Sequence, residues 1–361
     1  MVSIVLVTYN RAERLRLSIQ DVLHQTFTDF ELIICDDCST DSTEAVCREF
    51  LAKDSRIRYY RHDSNKQMPA NVNFGIQKSK YDYIAILHDG DRFMPDLIEQ
   101  WYIAITGNES VGLVFCSIGV TDAEDKMLAF YQDFDEGIID HEYLLKKVYF
   151  RRWRFDSPVF GEAMVKRSLF DDHGFFKKKY GFYADVDFWM QLLHSHDAYY
   201  CADTLILGPL KSIQPRLFED NQIRAFLYLF DMHLAHRKKT YENQSLKMAV
   251  ELVVFWMQTF LNLTYVLMLV VKNSSFKSFI EGPVILKQRF VLLMPWLMMF
   301  LMYPLVYPVL KFFTYAKNQW RQRSQLSDGN RPVLRTIDLQ RKRSRSWEVS
   351  VENELRERKG Q

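Results

Sequence analysis

The chain has little net charge for its size, with 47 Lys and Arg against 45 Asp and Glu in 361 residues, a formal balance of +2. That balance argues against a protein built to bind nucleic acid, which would present a strongly basic face. Cysteine is scarce and odd in number: Cys35, Cys38, Cys47, Cys116 and Cys201 are scattered, which suits a reducing compartment and speaks against a disulfide framework. Cys35 and Cys38 form a CxxC, yet no second CxxC or neighbouring histidine completes a zinc or redox site. A basic region followed by a long apolar run is missing from the N-terminus, so no secretory leader is expected there and the first apolar run reads as a core strand. The length accommodates one principal domain plus an appendage.

What the first ninety residues do contain is three short apolar runs rich in Val and Ile, each followed by polar residues. Ser3 to Thr8 leads into Tyr9-Asn10-Arg11, Phe30 to Cys35 into Asp36-Asp37-Cys38-Ser39-Thr40-Asp41, and Tyr83 to Leu87 into His88-Asp89-Gly90-Asp91. The runs are continuous rather than alternating, as expected for parallel strands buried on both faces. Ligands of an open parallel sheet bind beyond the carboxyl ends of its strands, so the three polar clusters are expected to meet in one crevice. Between the runs, Leu15, Ile19, Val22 and Leu23 give helical spacing over Ala12 to Gln25. A second helix is expected to open at Asp41, capped by Asp41 or Ser42, with Ala45, Val46, Phe50 and Leu51 buried. Asn71 to Lys78 reads as a third helix, with Pro69 near its start. Strand and helix alternate, which implies a doubly wound α/β sheet. Further on come a helix near Leu97 to Thr106, a strand at Gly112 to Cys116 and an antiparallel excursion near Lys126 to Tyr131.

The order VTYN, DDCSTDS, HDGD resembles family 2 glycosyltransferases of the GT-A fold, and GFYADVDFWMQLL (Gly181 to Leu193) resembles the segment in which that family carries a Glu-Asp pair before a helix. SPVFGEAMVKRSLFDDHGFF (Ser157 to Phe176) resembles its acceptor-side strand, helix and turn. The likeness covers about residues 1 to 210 and implies a Rossmann-like, mostly parallel sheet flanked by helices. It also implies an inverting, hexosyltransferase-like enzyme that takes sugar from a nucleotide sugar, UDP-linked by expectation.

Such a transfer needs the base bound, the leaving diphosphate neutralised and a proton removed from the acceptor hydroxyl. The resemblance puts Asp36 and Asp37 on the base and ribose, with Thr8 and Tyr9 lining the same pocket and Asp89 beside the nucleotide; an ordinary helix cap competes for Asp36. Asp91 and Asp89 are the expected ligands of Mg²⁺ or Mn²⁺, and Gly90 allows a close backbone approach. His88 and Gly90 stand where the family commonly has acidic residues. His88 fits either a ligand or a satisfied strand-end histidine. Asp185 corresponds to the family's general base, its charged form favoured at a helix N-terminus, while Ala184 replaces the Glu. Trp189 reads as core. Val72 stands where many relatives carry an arginine, so no arginine clamp is expected there, and no Gln-x-x-Arg-Trp segment marks a processive polymerase. Arg151, Arg152 and Arg154 fit a phosphate clamp and a basic surface turn equally.

The expected domains are 1–215 for the catalytic domain, 216–247 for a connecting helical region, 248–315 for apolar helices and 316–361 for a basic, partly disordered tail. Met248 to Val271 and Phe290 to Phe313 are each long enough to span a bilayer. Glu251, Gln258 and Asn262 interrupt the first, and Pro295, Pro304 and Pro308 the second, so embedding in one leaflet and a soluble helical bundle both stay open. Arg341-Lys342-Arg343 in the tail accords with a cytoplasmic side. The expectation is an enzyme at the cytoplasmic face of the membrane, anchored or peripheral, with a lipid-linked or glycan acceptor in cell-surface polysaccharide synthesis. Two alternatives are a polyprenyl-phosphate acceptor and a catalytically silent nucleotide-binding module. Sugar and acceptor identity rest on pocket shape, and oligomeric state on surfaces, neither of which one sequence displays.

Overall fold

A computed structural model describes residues 1–122, 124–150, 161–209, 222–251, 255 and 334–335. The three apolar runs form β1 (Val2–Thr8), β2 (Phe30–Asp36) and β4 (Tyr83–His88). Every residue of β1 and β2 is buried, which is why their sequences show no polar alternation. Helices α1 (Ala12–Leu23), α2 (Thr43–Leu51) and α3 (Ala70–Lys78) connect them, with β3 (Ile57–Arg61) between α2 and α3. The strands β3, β2, β1 and β4 lie side by side in parallel register.

Beyond β4 come β5 (Arg92–Phe93), α4 (Leu97–Thr106), β6 (Val111–Thr121), β7 (Met127–Tyr131), β8 (Gly137–Ile139) and α5 (His141–Phe150). They are followed by β9 (Ala163–Lys166), α6 (Ser168–His173), a 3₁₀ turn at Lys178–Tyr183, α7 (Ala184–Leu192) and β10 (Asp197–Pro209). Strand β9 enters the sheet antiparallel between β4 and β6, while β10 runs parallel along β6 and the excursion β7 pairs antiparallel with it. The result is a GT-A-like α/β sheet, mostly parallel and flanked by helices. A short strand β11 (Leu334–Arg335) pairs with β7.

The second helix differs from the sequence expectation in detail. It starts at Thr43; Asp41 accepts the Thr43 backbone N–H at 3.0 Å, and Ser42 makes no side-chain cap. Thr43, Val46, Cys47 and Phe50 form its buried face, whereas Ala45 and Leu51 are exposed. The other Asp41 oxygen accepts the Ala12 N–H at 3.1 Å, so one carboxylate serves the starts of both α1 and α2.

Helix α3 packs on the sheet through Gly75. A Cβ there would stand 2.4 Å from Val5 Cγ1 and 2.9 Å from Cys35 Sγ, atoms of fully buried strand residues with no room to retreat. Gly75→Ala is therefore expected to cost about 1–3 kcal/mol by overpacking, read as a lower urea midpoint at unchanged slope.

The described residues through Pro209, with Leu334–Arg335, belong to one compact unit; Gln222–Glu251 and Phe255 belong to a second. In the second, α8 (Gln222–Thr240) buries Arg237, whose guanidinium lies 4.7 Å from the Phe255 ring centroid. Among the described residues no helix is long and apolar enough to cross a membrane. The two apolar segments expected to span or embed lie outside the described residues, apart from Met248–Glu251 and Phe255.

Candidate active site

The carboxyl ends of β1, β2 and β4 are stitched together by short polar contacts. The Asp37 N–H donates to the Thr8 carbonyl at 3.0 Å, and Thr8 Oγ1 donates to Asp89 Oδ2 at 2.7 Å. The Asn10 N–H donates to Ser39 Oγ at 2.9 Å, and the Asn10 side-chain oxygen accepts the Thr40 N–H at 2.7 Å. Asn10, Cys38 and Gln67 all have positive φ, so the three loops that follow β1, β2 and β3 are each bent at a residue that is not glycine. Such conformations persist only where the surroundings enforce them, and they cluster at ligand sites.

Asp36 and Asp37 do different work. Asp36 is fully buried; its Oδ1 accepts the Ser39 N–H at 2.8 Å, its Oδ2 accepts the Tyr59 hydroxyl at 2.7 Å, and Arg61 Nε stands 3.7 Å away. Asp37 accepts the Lys66 N–H at 2.6 Å and the Gln67 N–H at 2.8 Å, tying the β2 loop to the segment before α3. Tyr9 is 46% exposed and borders this crevice from the end of β1.

At β4 the polar residues face two ways. Asp89 turns toward β1, where Thr8, the Tyr9 N–H at 3.4 Å and Arg11 Nη1 at 3.1 Å surround it. Burial raises its pKa, opposed by Arg11 and the Thr8 hydrogen bond. Arg11, which the sequence marks only as a helix start, is thus the cation beside this carboxylate. Gly90 leaves room for it, since a Cβ at 90 would lie 2.8 Å from Arg11 Nη1.

Asp91 instead gathers with His88 and Glu162, whose ligand atoms all lie within 4.8 Å of one another. Glu162, just before β9, is 5% exposed and faces His88 Nδ1 at 3.4 Å. Burial lifts the Asp91 carboxyl well above the usual range, with the Glu162 charge adding to the rise and His88 opposing it. Glu162 is itself raised by burial. The sequence reading pairs Asp89 with Asp91 as metal ligands; in the structure Asp89 is engaged by Thr8, Tyr9 and Arg11, and Glu162 stands with Asp91 and His88.

Asp185 completes the group from the first turn of α7. One of its oxygens is buried without a hydrogen-bond partner, and burial pushes its pKa up to about 6, opposed by the Val186 N–H and by His88. Its negative charge in turn raises Glu162, so the two carboxylates feel each other. Within the next turn of the same helix the roles are structural. Asp187 is buried, accepting from Gln191 Nε2 at 2.7 Å with Lys177 Nζ at 3.2 Å, and Trp189 is fully buried with its ring 5.7 Å from that of Phe176.

The sequence signal for Glu162 was present though indirect. His88, Gly90 and Ala184 stand where the family is commonly acidic, which directs attention to carboxylates on other elements, and Glu162 is the first acidic residue of the segment beginning at Ser157.

Residues 3–174 match the family model described as Glycosyl transferase family 2. Glycosyltransferase GlyG of Streptococcus pneumoniae serotype 4 is 28% identical over 179 residues, 48% of this chain and 58% of that protein. The GalNAc(5)-diNAcBac-PP-undecaprenol beta-1,3-glucosyltransferase of Campylobacter jejuni is 25% identical over 198 residues, 55% of this chain and 61% of that one. The chain therefore spans about three-fifths of the length of these two curated relatives. Among solved structures, residues 1–349 of S. aureus TarS in complex with UDP-GlcNAc superpose with a TM-score of 0.54 at 13% identity, covering 72% of each chain, a likeness of fold. Residues 3–174, just under half of the chain, are thus similar to Glycosyl transferase family 2.

Proposed function

We propose that the chain is an inverting glycosyltransferase that moves a sugar from a UDP-linked donor to a hydroxyl of a lipid-linked acceptor, working at the cytoplasmic face of the cell membrane. The observation that carries the reading is the convergence of Asp185, Asp91, His88 and Glu162 near the Thr8, Asp37 and Asp89 cluster at the carboxyl ends of β1, β2 and β4. The lipid-linked acceptor class is supported by the undecaprenol in the name of the Campylobacter relative and by the two apolar segments between 248 and 315. Residues 1–215 would be catalytic and 248–315 would hold the enzyme at the membrane, by spanning or embedding.

In this mechanism Thr8, Tyr9 and the Asp37 loop receive the nucleoside, Asp37 offering carboxylate oxygens to ring N–H or ribose hydroxyl groups. A divalent cation, Mg²⁺ or Mn²⁺, when bound at Asp91 supplies charge neutralisation for the leaving diphosphate. Asp185 accepts the proton of the acceptor hydroxyl as its oxygen attacks the anomeric carbon from the side opposite the nucleotide. Its raised pKa makes it a stronger base than an ordinary aspartate while leaving it mostly ionised at neutral pH.

The test is release of free nucleoside diphosphate from a panel of nucleotide sugars by membrane-associated enzyme, with and without Mn²⁺ and with an acceptor-bearing lipid extract from the native host. Turnover of a UDP-sugar that requires both lipid and metal is the expected result. Nucleotide binding without turnover of any donor would replace the enzyme by a silent binding module.

A further inference from the structure

The three groups His88, Asp91 and Glu162 lie where the proposed transferase would hold its cation, and their chemistry differs from an all-oxygen set. Imidazole nitrogen suits the later first-row metals best; Mn²⁺, which otherwise shares the preference of Mg²⁺ for oxygen, accepts one imidazole among carboxylates more readily than Mg²⁺, which demands near-ideal oxygen geometry and retains its waters. Three features of the structure aim these groups at a common point. Glu162 is 5% exposed and its carboxyl is hydrogen-bonded to Asp91 and to the His88 backbone, yet its Oε1 is buried and accepts no hydrogen bond, which leaves one acceptor position open to a cation. His88 Nδ1 stands 3.4 Å from that same oxygen, close to the separation of about 3 Å between adjacent ligands of an octahedral ion with bonds near 2.1 Å. Finally, the backbone at Gly161 lies directly on the imidazole: a Cβ there would stand 2.4 Å from His88 Cε1 and 3.1 Å from Nε2. The glycine lets β9 approach closely enough to deliver Glu162 and fixes the ring that faces it.

We propose that His88 and Glu162 join Asp91 in a mixed imidazole and dicarboxylate site that selects a Mn²⁺-type cation over Mg²⁺. The inference rests on the transferase reading for the role of the ion, and on geometry alone for its ligands. Asp89 takes no part, because Thr8, Tyr9 and Arg11 already engage its oxygens. The altered acidic position at 88 is then a change of ligand type, with the lost carboxylate returned by Glu162 from the neighbouring strand.

The experiment is Mn²⁺ binding to the full chain followed by electron paramagnetic resonance, with and without UDP, on wild type, His88→Ala, Glu162→Gln and Asp91→Ala, each checked for folding by its thermal melt. The expected wild-type result is a bound Mn²⁺ whose pulsed spectrum shows nitrogen coupling, displaced by Mg²⁺ only at a concentration at least about tenfold higher. His88→Ala removes the nitrogen coupling. Glu162→Gln raises the Mn²⁺ dissociation constant by at least about tenfold, since even partners one step removed from a metal are worth 10–100-fold in affinity. Gly161→Ala, which keeps all three ligand residues but pushes the His88 ring out of position, weakens the nitrogen coupling and serves if Glu162→Gln does not fold. Bound Mn²⁺ without nitrogen coupling, affinity unchanged in Glu162→Gln, or no Mn²⁺ binding even with UDP would each overturn the proposed ligand set. Sugar turnover alongside any of those outcomes would leave the transferase reading standing. Nitrogen-coupled Mn²⁺ in a chain that turns over no nucleotide sugar would do the reverse.

Discussion

Asp185→Asn is expected to lower turnover by about 10²–10⁴-fold, the range a positioned general base contributes, while nucleotide binding stays within a few-fold of wild type. The substitution keeps shape and removes the proton acceptor from the first turn of α7. The pH dependence follows from the sign of the shift. Burial raises the carboxyl from 3.8 to about 6, so the base is protonated below that value and ionised above it. In wild type kcat/KM should rise through a limb at or below about pH 6 and level off above, a bound cation nearby moving the limb lower; the variant should lack this limb.

Stability moves in the opposite direction. A carboxyl with a raised folded-state pKa binds its proton more tightly folded than unfolded, so its favourable contribution is present below about pH 4 and is lost as pH climbs through about 6. Well above pH 6 the ionised, half-paired Asp185 costs the fold on the order of 3 kcal/mol, and the neutral Asn side chain relieves it. Metal-free Asp185→Asn should accordingly melt higher than wild type at pH 7.5 and by a smaller margin at pH 4.5. Higher stability with lost turnover is the mark of a strained functional group. Full turnover in Asp185→Asn would point instead to an acceptor phosphate, whose oxygen is already ionised and needs no base.

The parts of this architecture that the sequence displays are those fixed by local physics. Continuous Val and Ile runs can only be buried on both faces, so β1, β2 and β4 were legible within a residue or two. The run IRYYR of β3 carries no such signal, because its side chains are half-buried at the sheet edge and its polar groups serve Glu31 and Asp36. Leu51 was expected in the core from its apolar character, yet it falls in the last turn of α2 and stays 41% exposed. The candidate site divides along the same line. Asp91 and Asp185 sit next to recognisable local patterns, whereas Glu162 reaches them through the antiparallel insertion of β9 beside β4, a pairing between segments about eighty residues apart. Which way Asp89 turns was decided by Thr8 and Arg11, contacts equally remote in sequence.

Asp36 and Asp37, adjacent and both expected at the nucleotide, should separate sharply on mutation. Asp36→Ala is expected to cost about 2–5 kcal/mol of folding stability, the range for stripping a buried, hydrogen-bonded charge from its partners. The reason is that both of its oxygens are engaged within the protein. Without them the Ser39 N–H and the Tyr59 hydroxyl lose their acceptor, and Arg61 loses one of the two carboxylates that stand 3.7 Å from its Nε. Ser39 also holds Asn10, so the loss spreads from the β2 loop to the β1 loop that borders the donor crevice. Asp36→Asn should recover a large part of the deficit, because the amide oxygen can still accept from Ser39 and the Tyr59 hydroxyl can turn to accept from the amide nitrogen. Asp37→Asn has a different signature. Its partners are the Lys66 and Gln67 N–H groups on a partly exposed segment, where water can substitute, so stability should change by about 1 kcal/mol or less. If Asp37 faces the nucleotide as proposed, UDP affinity should fall about tenfold or more, the loss expected for a charge-assisted hydrogen bond worth about 1.5–3 kcal/mol. Urea melts and UDP titrations on the three variants read both quantities. A stable Asp36→Ala, or an Asp37→Asn that binds UDP like wild type, would reverse this division of labour between the two neighbours.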